Sequence, residues 1–284
     1  MEITERNAQE IGKSLLISLP KGWTRALKIR KGSKLKIFTS ENGNLIIAPE
    51  FTKQETKKET TILYDNNFKR RFFQDYFNGY ENLNVKFQQS ITEKERKEIY
   101  SFLKRFMNTQ IIEESKLEIK IKSFRIEELS IQECLKRMHS LSLSMLEEVY
   151  EKNEKIKLQE IRDTITRFYY ILVMQIRRFL SEGKYTDENQ ISLIRAMDIR
   201  MVAEKIQRIA ELIQSLKKDT KTIPLLKELD EYYSKSFNYF INENFEKALP
   251  LWNEGKTLQN KSEKISNEIM QIVRYSREIT MLVR

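Results

Sequence analysis

Apolar side chains recur with two different periods along the 284 residues, and the change of period divides the chain. From 130 onward the spacing is helical. Ile131, Leu135, Met138, Leu141, Met145 and Val149 make one stripe, and Ile161, Ile165, Phe168, Leu172, Ile176 and Phe179 a second. Val202, Ile206, Ile209, Ile213 and Leu216 make a third, and Leu226, Leu229, Tyr233, Phe237 and Ile241 a fourth. Gly183 and Pro224 fall between stripes, where a helix ends at least cost. Phe245, Leu249, Trp252, Ile265, Ile269, Ile272 and Ile279 carry the pattern onward, with Pro250 and Gly255 as the expected places for a break or kink. Long helices with short connections pack as antiparallel neighbours, so 130–284 reads as a helical bundle.

Between 61 and 126 the periods mix. The pattern predicts a strand at 61–64, a helix over 67–78, an alternating strand at 83–87 and a helix over 93–108. Thr92 and Glu95 form a capping box at the start of the second helix. A hairpin from 110–113 and 117–122 closes the unit, with Leu117, Ile119 and Ile121 on one face and Glu118, Lys120 and Lys122 on the other. This is a small α+β domain over 61–126 with helices on one sheet face. The preceding 51–60 contains almost no apolar residue after Phe51 and reads as a linker.

The first fifty residues form a third pattern. A short apolar run at 14–19 is bounded by Gly12 and Pro20, and Trp23, Ala26 and Leu27 fit a two-turn helix with Pro20 near its start. Lys31-Gly32 supplies a turn, 34–39 a strand, Glu41-Asn42-Gly43-Asn44 a hairpin turn and 45–47 the returning strand. So small a unit buries too little apolar surface to stand alone. It has no Cys and no His to staple it, so a second chain is the expected remedy: a homodimer through 1–50.

Charge sharpens this. Nine basic against five acidic residues in 1–50 leave a net charge of about +4, and the whole chain carries 51 Lys and Arg against 41 Asp and Glu. Lys and Arg at this density favour acidic partners such as nucleic acid or an anionic membrane face; on double-stranded DNA the phosphate contacts would come from Arg6, Lys13, Lys21, Arg25, Lys28, Arg30 and Lys31. The lone Cys134 excludes an internal disulfide and sits in a helical stripe as a packing residue, and the lone His139 cannot build a His-rich metal site. No apolar run reaches membrane-span length and no leader pattern precedes the first strand, so a cytoplasmic protein without membrane insertion is expected. No nucleophile, acid–base pair or phosphate-cradling loop marks an enzyme, and none calls for a cofactor.

The Gly-x-Ser-x-x-Ile-x-Leu-Pro-Lys core from Gly12 to Lys21, Lys31-Gly32 and the Gly-x-Leu-x-Ile-x-Pro ending at Pro49 resemble the AbrB/SpoVT (swapped-hairpin) DNA-binding family. The resemblance implies a dimeric β-barrel of interlocked hairpins. Further on, the run from Arg162 to Leu172, Gln175-Ile176-Arg177-Arg178 and the run from Ala203 to Glu211 resemble helices of the PhoU-like family. Tyr76-Phe77-Asn78-Gly79-Tyr80 and the hairpin from Gln110 are similar to the intermediate region of archaeal-type fusions of the two. The implied fold class is multidomain α+β, mainly α overall: a swapped-hairpin barrel over 1–50, the small α+β domain, and a PhoU-like antiparallel bundle over 130–284.

The PhoU-like resemblance also implies paired carboxylates for metal ions, but Arg162 and Thr166 stand at the first pair and Arg208 follows Glu204 in the second. A metal is therefore disfavoured, with Asp163, Glu204 and Glu211 the remaining candidate ligands. The expectation is a homodimeric DNA-binding transcriptional regulator linked by this resemblance to phosphate uptake. The alternative is a PhoU-type cytoplasmic adaptor that contacts a phosphate transporter or sensor kinase and uses the first module only to dimerise. An antitoxin of the AbrB-like kind would carry a short disordered tail, which the long periodic helices oppose.

Overall fold

The computed structural model describes residues 5–39, 43, 45–49, 58–126, 128–182, 191–217 and 219–284, and the chain divides into two compact units, Met1–Thr56 and Lys57–Arg284.

The first unit holds two separate antiparallel hairpins. Strand β1 (Gln9–Ile11) pairs with β2 (Ser14–Leu16), and β3 (Leu35–Thr39) with β4 (Leu45–Pro49). Helix α1 (Lys21–Ala26) lies between them in sequence and starts directly after Pro20. The apolar run expected as one strand over 14–19 pairs only as far as Leu16, and its partner is a strand at 9–11 that periodicity did not mark. Among the residues of this unit whose side chains are described none is buried. Of the expected turn at 41–44 only Gly43 lies within the described residues, and the linker residues 51–57 lie outside them.

The second unit opens with a four-stranded sheet of order β5-β6-β8-β7, where β5 is Glu59–Leu63, β6 Asn82–Lys86, β7 Thr109–Glu114 and β8 Glu118–Ser123. Helix α2 (Phe68–Phe77) carries the chain from β5 to its parallel neighbour β6, and α3 (Glu93–Leu103) leads on to the antiparallel β7–β8 hairpin. Phe68, Phe72, Tyr76, Ile99, Phe102 and Phe106 from the helical side pack on Ile62, Leu83, Val85, Ile119 and Ile121 from the strands. The capping box of α3 forms as the sequence indicates, Thr92 Oγ1 accepting from Glu95 N–H and Glu95 from Thr92 N–H. The helix stops at Leu103, five residues before the expected end, and buried Phe106 follows in a turn. Leu117 does not join Ile119 and Ile121: it precedes β8 in the turn that Ser115 organises and stays 52% exposed.

Six helices follow: α4 (Ile131–Glu151), α5 (Lys155–Glu182), α6 (Leu193–Ser215), α7 (Ile223–Ile241), α8 (Phe245–Glu263) and α9 (Asn267–Thr280). Helix α4 packs on α5, α6 and α7, and α9 on α6, α7 and α8. Ser130, Ser192, Asn244 and Ser266 each accept a backbone N–H at a helix start, and Pro224 occupies the first turn of α7, where its missing N–H is harmless. The break expected at Pro250 or Gly255 is absent. Both lie inside α8, whose buried stripe Ala248, Leu251, Gly255, Leu258 and Ser262 is held by its neighbours, and the chain turns instead at Ser266. Cys134 is fully buried, and burial pushes its thiol up to about 12, as suits a packing residue.

Helix α5 belongs to two cores at once. Leu158, Ile165, Leu172 and Ile176 enter the bundle, whereas Tyr170 and Met174 pack against the aromatic cluster beneath α2 and α3. The Tyr170 ring lies 5.4 Å from both Phe73 and Phe106, and Arg177 donates to Asn78 Oδ1 at 2.8 Å. Sheet layer and bundle are thereby one packed body rather than beads on a string.

Candidate nucleic-acid interface

The basic residues of the first unit are each placed by a local backbone device. Ile11 pairs with Ser14, so Gly12 and Lys13 form a two-residue turn. Gly12 has φ +66°, the left-handed value this turn needs at its first corner, and Lys13 is thereby held at the hairpin tip. Lys21 and Arg25, one helical turn apart, share the exposed side of α1, while Trp23 and Thr24 are partly buried.

At the end of α1 the backbone closes with paired bonds, Lys28 N–H to Arg25 C=O at 3.1 Å and Ile29 N–H to Thr24 C=O at 2.8 Å. This closure needs a left-handed residue after the cap, and position 28 takes it with φ +54°. Glycine is the usual residue there because a Cβ in that conformation is strained by about 1 kcal/mol. Here a lysine occupies it, and its charge also complements the negative end of the helix. Arg30 and Lys31 sit on the next turn, clasped by Arg30 N–H to Ser33 Oγ at 2.9 Å and Ser33 N–H to Arg30 C=O at 3.0 Å, with Gly32 at φ +84°. Arg6 precedes β1 and donates to the Glu5 carbonyl at 2.8 Å.

All seven sequence-selected residues, Arg6, Lys13, Lys21, Arg25, Lys28, Arg30 and Lys31, are exposed, and among the described residues none makes an ion pair. The same unit also exposes large apolar side chains: Ile11 62%, Leu15 75%, Ile17 53%, Ile37 63% and Leu45 60%. No sequence pattern marks the left-handed conformation of Lys28.

The metal candidates do not converge. Asp163 pairs with Arg162 at 2.9 Å and accepts from Gln159 at 3.0 Å, Glu204 lies 4.0 Å from Arg200, and Glu211 3.4 Å from Arg208. Among the described residues no three His, Cys, Asp or Glu side chains gather into a metal-binding group. The carboxylates are occupied singly by arginines, which leaves no shared coordination sphere.

No helix among the described residues is long and apolar enough to cross a membrane. Residues 9–55 match the family described as antidote-toxin recognition MazE, bacterial antitoxin, which supports the likeness of the first unit to a MazE/AbrB-like module. The largely helical remainder matches no PhoU family model. No curated protein and no solved structure matches the chain.

Proposed function

We propose that this chain is a DNA-binding transcriptional regulator without catalysis of its own, dimeric through its first unit and governed by its helical part. One observation carries the reading: a unit of fifty-six residues leaves Ile11, Leu15, Ile17, Ile37 and Leu45 open beside basic residues that, among the described residues, no carboxylate pairs with. Isolated two-stranded hairpins are marginal in water, and a large apolar side chain contributes about 1.5–3 kcal/mol when fully buried. A second copy laid over Ile11, Leu15, Ile17, Ile37 and Leu45 supplies that cover and doubles the basic surface. The match of 9–55 to a family of this type supports both the dimer and the duplex.

In this reading the sheet layer and bundle, joined through α5, receive the signal. Phosphate uptake is the process we assign to it, on the PhoU-like resemblance of the helices alone. A second reading follows from the matched family's description: an antitoxin whose partner is a cognate toxin. The folded helices beyond residue 57 favour the regulator, since a toxin-wrapping tail acquires its structure only on binding.

The test uses the full chain. Sedimentation equilibrium establishes its mass, and binding to a pool of labelled 30-base-pair duplexes is followed from 50 to 200 mM salt. The regulator predicts a dimer whose log affinity falls linearly with log salt, and a charge-reversed Lys13→Glu, Lys21→Glu, Lys31→Glu variant that dimerises without binding. A dimer with no salt-dependent retardation of any duplex overturns the DNA reading in favour of an adaptor.

A further inference from the structure

The exposed side of α3 bears an unneutralised row of cations that the first unit's chemistry does not include. Lys94, Lys97 and Lys104 follow one another at spacings of three and seven residues, Arg105 lies beside them, and Ser101 is the short side chain in the gap. All five are exposed: Lys94, Lys97 and Ser101 on the side of α3 opposite Ile99, Phe102 and Leu103, which enter the core, and Lys104 and Arg105 in the turn that follows Leu103. Among the described residues none of the four cations makes an ion pair.

The carboxylates around them are already engaged elsewhere. Glu93 pairs with Arg96 at 2.6 Å, and Glu95 closes the capping box on Thr92 at 2.8 Å. Glu98, a carboxylate within electrostatic reach of Lys94, is held by Lys69 at 2.7 Å and by the Tyr64 hydroxyl at 2.9 Å. Glu114 receives Arg96 at 2.6 Å and Tyr100 at 3.0 Å. The bonds to Glu95 and Glu98 hold both carboxyls below the usual carboxylate range, so both are ionised at neutral pH. A helix that satisfies its acids internally and leaves its bases open presents net positive charge outward.

We propose that this face of α3 is a second DNA-binding surface, which takes backbone phosphates of the duplex beyond the segment gripped by the first unit. The proposal rests on the DNA reading above. From Lys94 to Lys104 a helix rises about 15 Å, which matches about four to five nucleotide steps of one strand at roughly 3.4 Å each. Lysines without planar hydrogen-bond partners suit sequence-independent phosphate contact, and two weak surfaces on one duplex gain by tethering.

The experiment compares full-length wild type with Lys94→Gln, Lys97→Gln, Lys104→Gln and with a charge-matched control, Lys235→Gln, Lys247→Gln, Lys256→Gln, whose lysines are exposed on α7 and α8. Affinity for 20- and 45-base-pair duplexes is measured across the same salt range, with circular dichroism as a check on folding. Wild type should prefer the longer duplex. The α3 variant should lose about tenfold in affinity for it at 0.1 M salt, with the slope of log affinity against log salt reduced by about 2–3, and bind the short duplex unchanged. The proposal is overturned if the α3 variant binds both duplexes as wild type does, or if the control loses as much. A shift in the variant's sedimenting mass with DNA affinity intact also overturns it, and assigns the face to an acidic protein. If wild type binds neither duplex, the DNA reading itself fails.

Discussion

The phenol of Tyr232 occupies the space that a side chain at position 255 would need. A methyl group on Gly255 would lie 2.1 Å from Tyr232 Oη and 2.5 Å from Arg277 Cγ, far inside contact distance. The close approach lets the Tyr232 hydroxyl reach the Leu251 carbonyl of α8 at 3.3 Å, while Arg277 stacks 4.1 Å above Trp252 and binds Gln259. Glycine sits inside this helix because Tyr232 of α7 and Arg277 of α9 close over it.

Gly255→Ala should therefore destabilise the protein. In an exposed helix the same change stabilises by up to about 1 kcal/mol, but overpacking a closed contact costs about 1–3 kcal/mol or more. Denaturant unfolding should show a lower midpoint with an unchanged slope. A neutral or raised midpoint would mean that Tyr232 and Arg277 yield freely.

Leu15 is 75% exposed on β2. On a monomer, Leu15→Asp would be a surface change worth within about 0.5 kcal/mol. In the proposed dimer it places a carboxylate under the second copy, so the sedimenting mass should halve and duplex binding fall with it. Retention of the wild-type mass would remove Leu15 from the interface.

Lys28 separates fold from charge. Lys28→Gly relieves the left-handed strain by about 1 kcal/mol and should raise the melting temperature of the first unit's transition, yet weaken duplex binding by the loss of one phosphate contact. Lys28→Ala should weaken binding equally and keep the strain. If the glycine variant bound DNA like wild type, position 28 would be a structural cap with no role on the duplex.

His139 supplies a pH dependence with a fixed sign. Its ring lies 3.8 Å from Phe237 at an interplanar angle of 7°, Nε2 has no hydrogen-bond partner among the described residues, and burial pushes its pKa down to about 3. Below about pH 6.5 the unfolded chain takes up a proton that the folded chain refuses. Its contribution to stability is complete above that pH and lost progressively down to about pH 3, by about 1.4 kcal/mol per pH unit. His139→Phe keeps a ring against Phe237 and should flatten this part of the stability profile, measured by urea titration between pH 7 and 4.5. An unchanged slope in the variant would assign the dependence to carboxylates instead.

Much of this architecture is legible in the sequence where one short window contains the cause. Thr92 with Glu95, the alternation of Ile119 and Ile121, and the stripe from Ile131 to Val149 each appear as expected, because capping, pleat and helical repeat depend on neighbours a few residues away. The basic residues of the first fifty are likewise exposed as expected. The α3 row was readable in the same way, as cations opposite Ile99 and Phe102, but in a chain this rich in lysine a basic helix face is not distinctive until its carboxylates are seen to be occupied.

Periodicity thus indicated from sequence alone most of the strands and helices, though not β1 or the end of α3, and charge determined that the first unit presents a basic surface. Tertiary structure decided the rest. It passed α8 through Pro250 and Gly255 and turned the chain at Ser266, gave α5 to two cores, put Lys28 in a glycine's conformation, and dispersed Asp163, Glu204 and Glu211 onto separate arginines. Each of these depends on which surface arrives from elsewhere in the chain, and local propensity is worth only tenths of a kcal/mol per residue against the several kcal/mol of a closed packing contact.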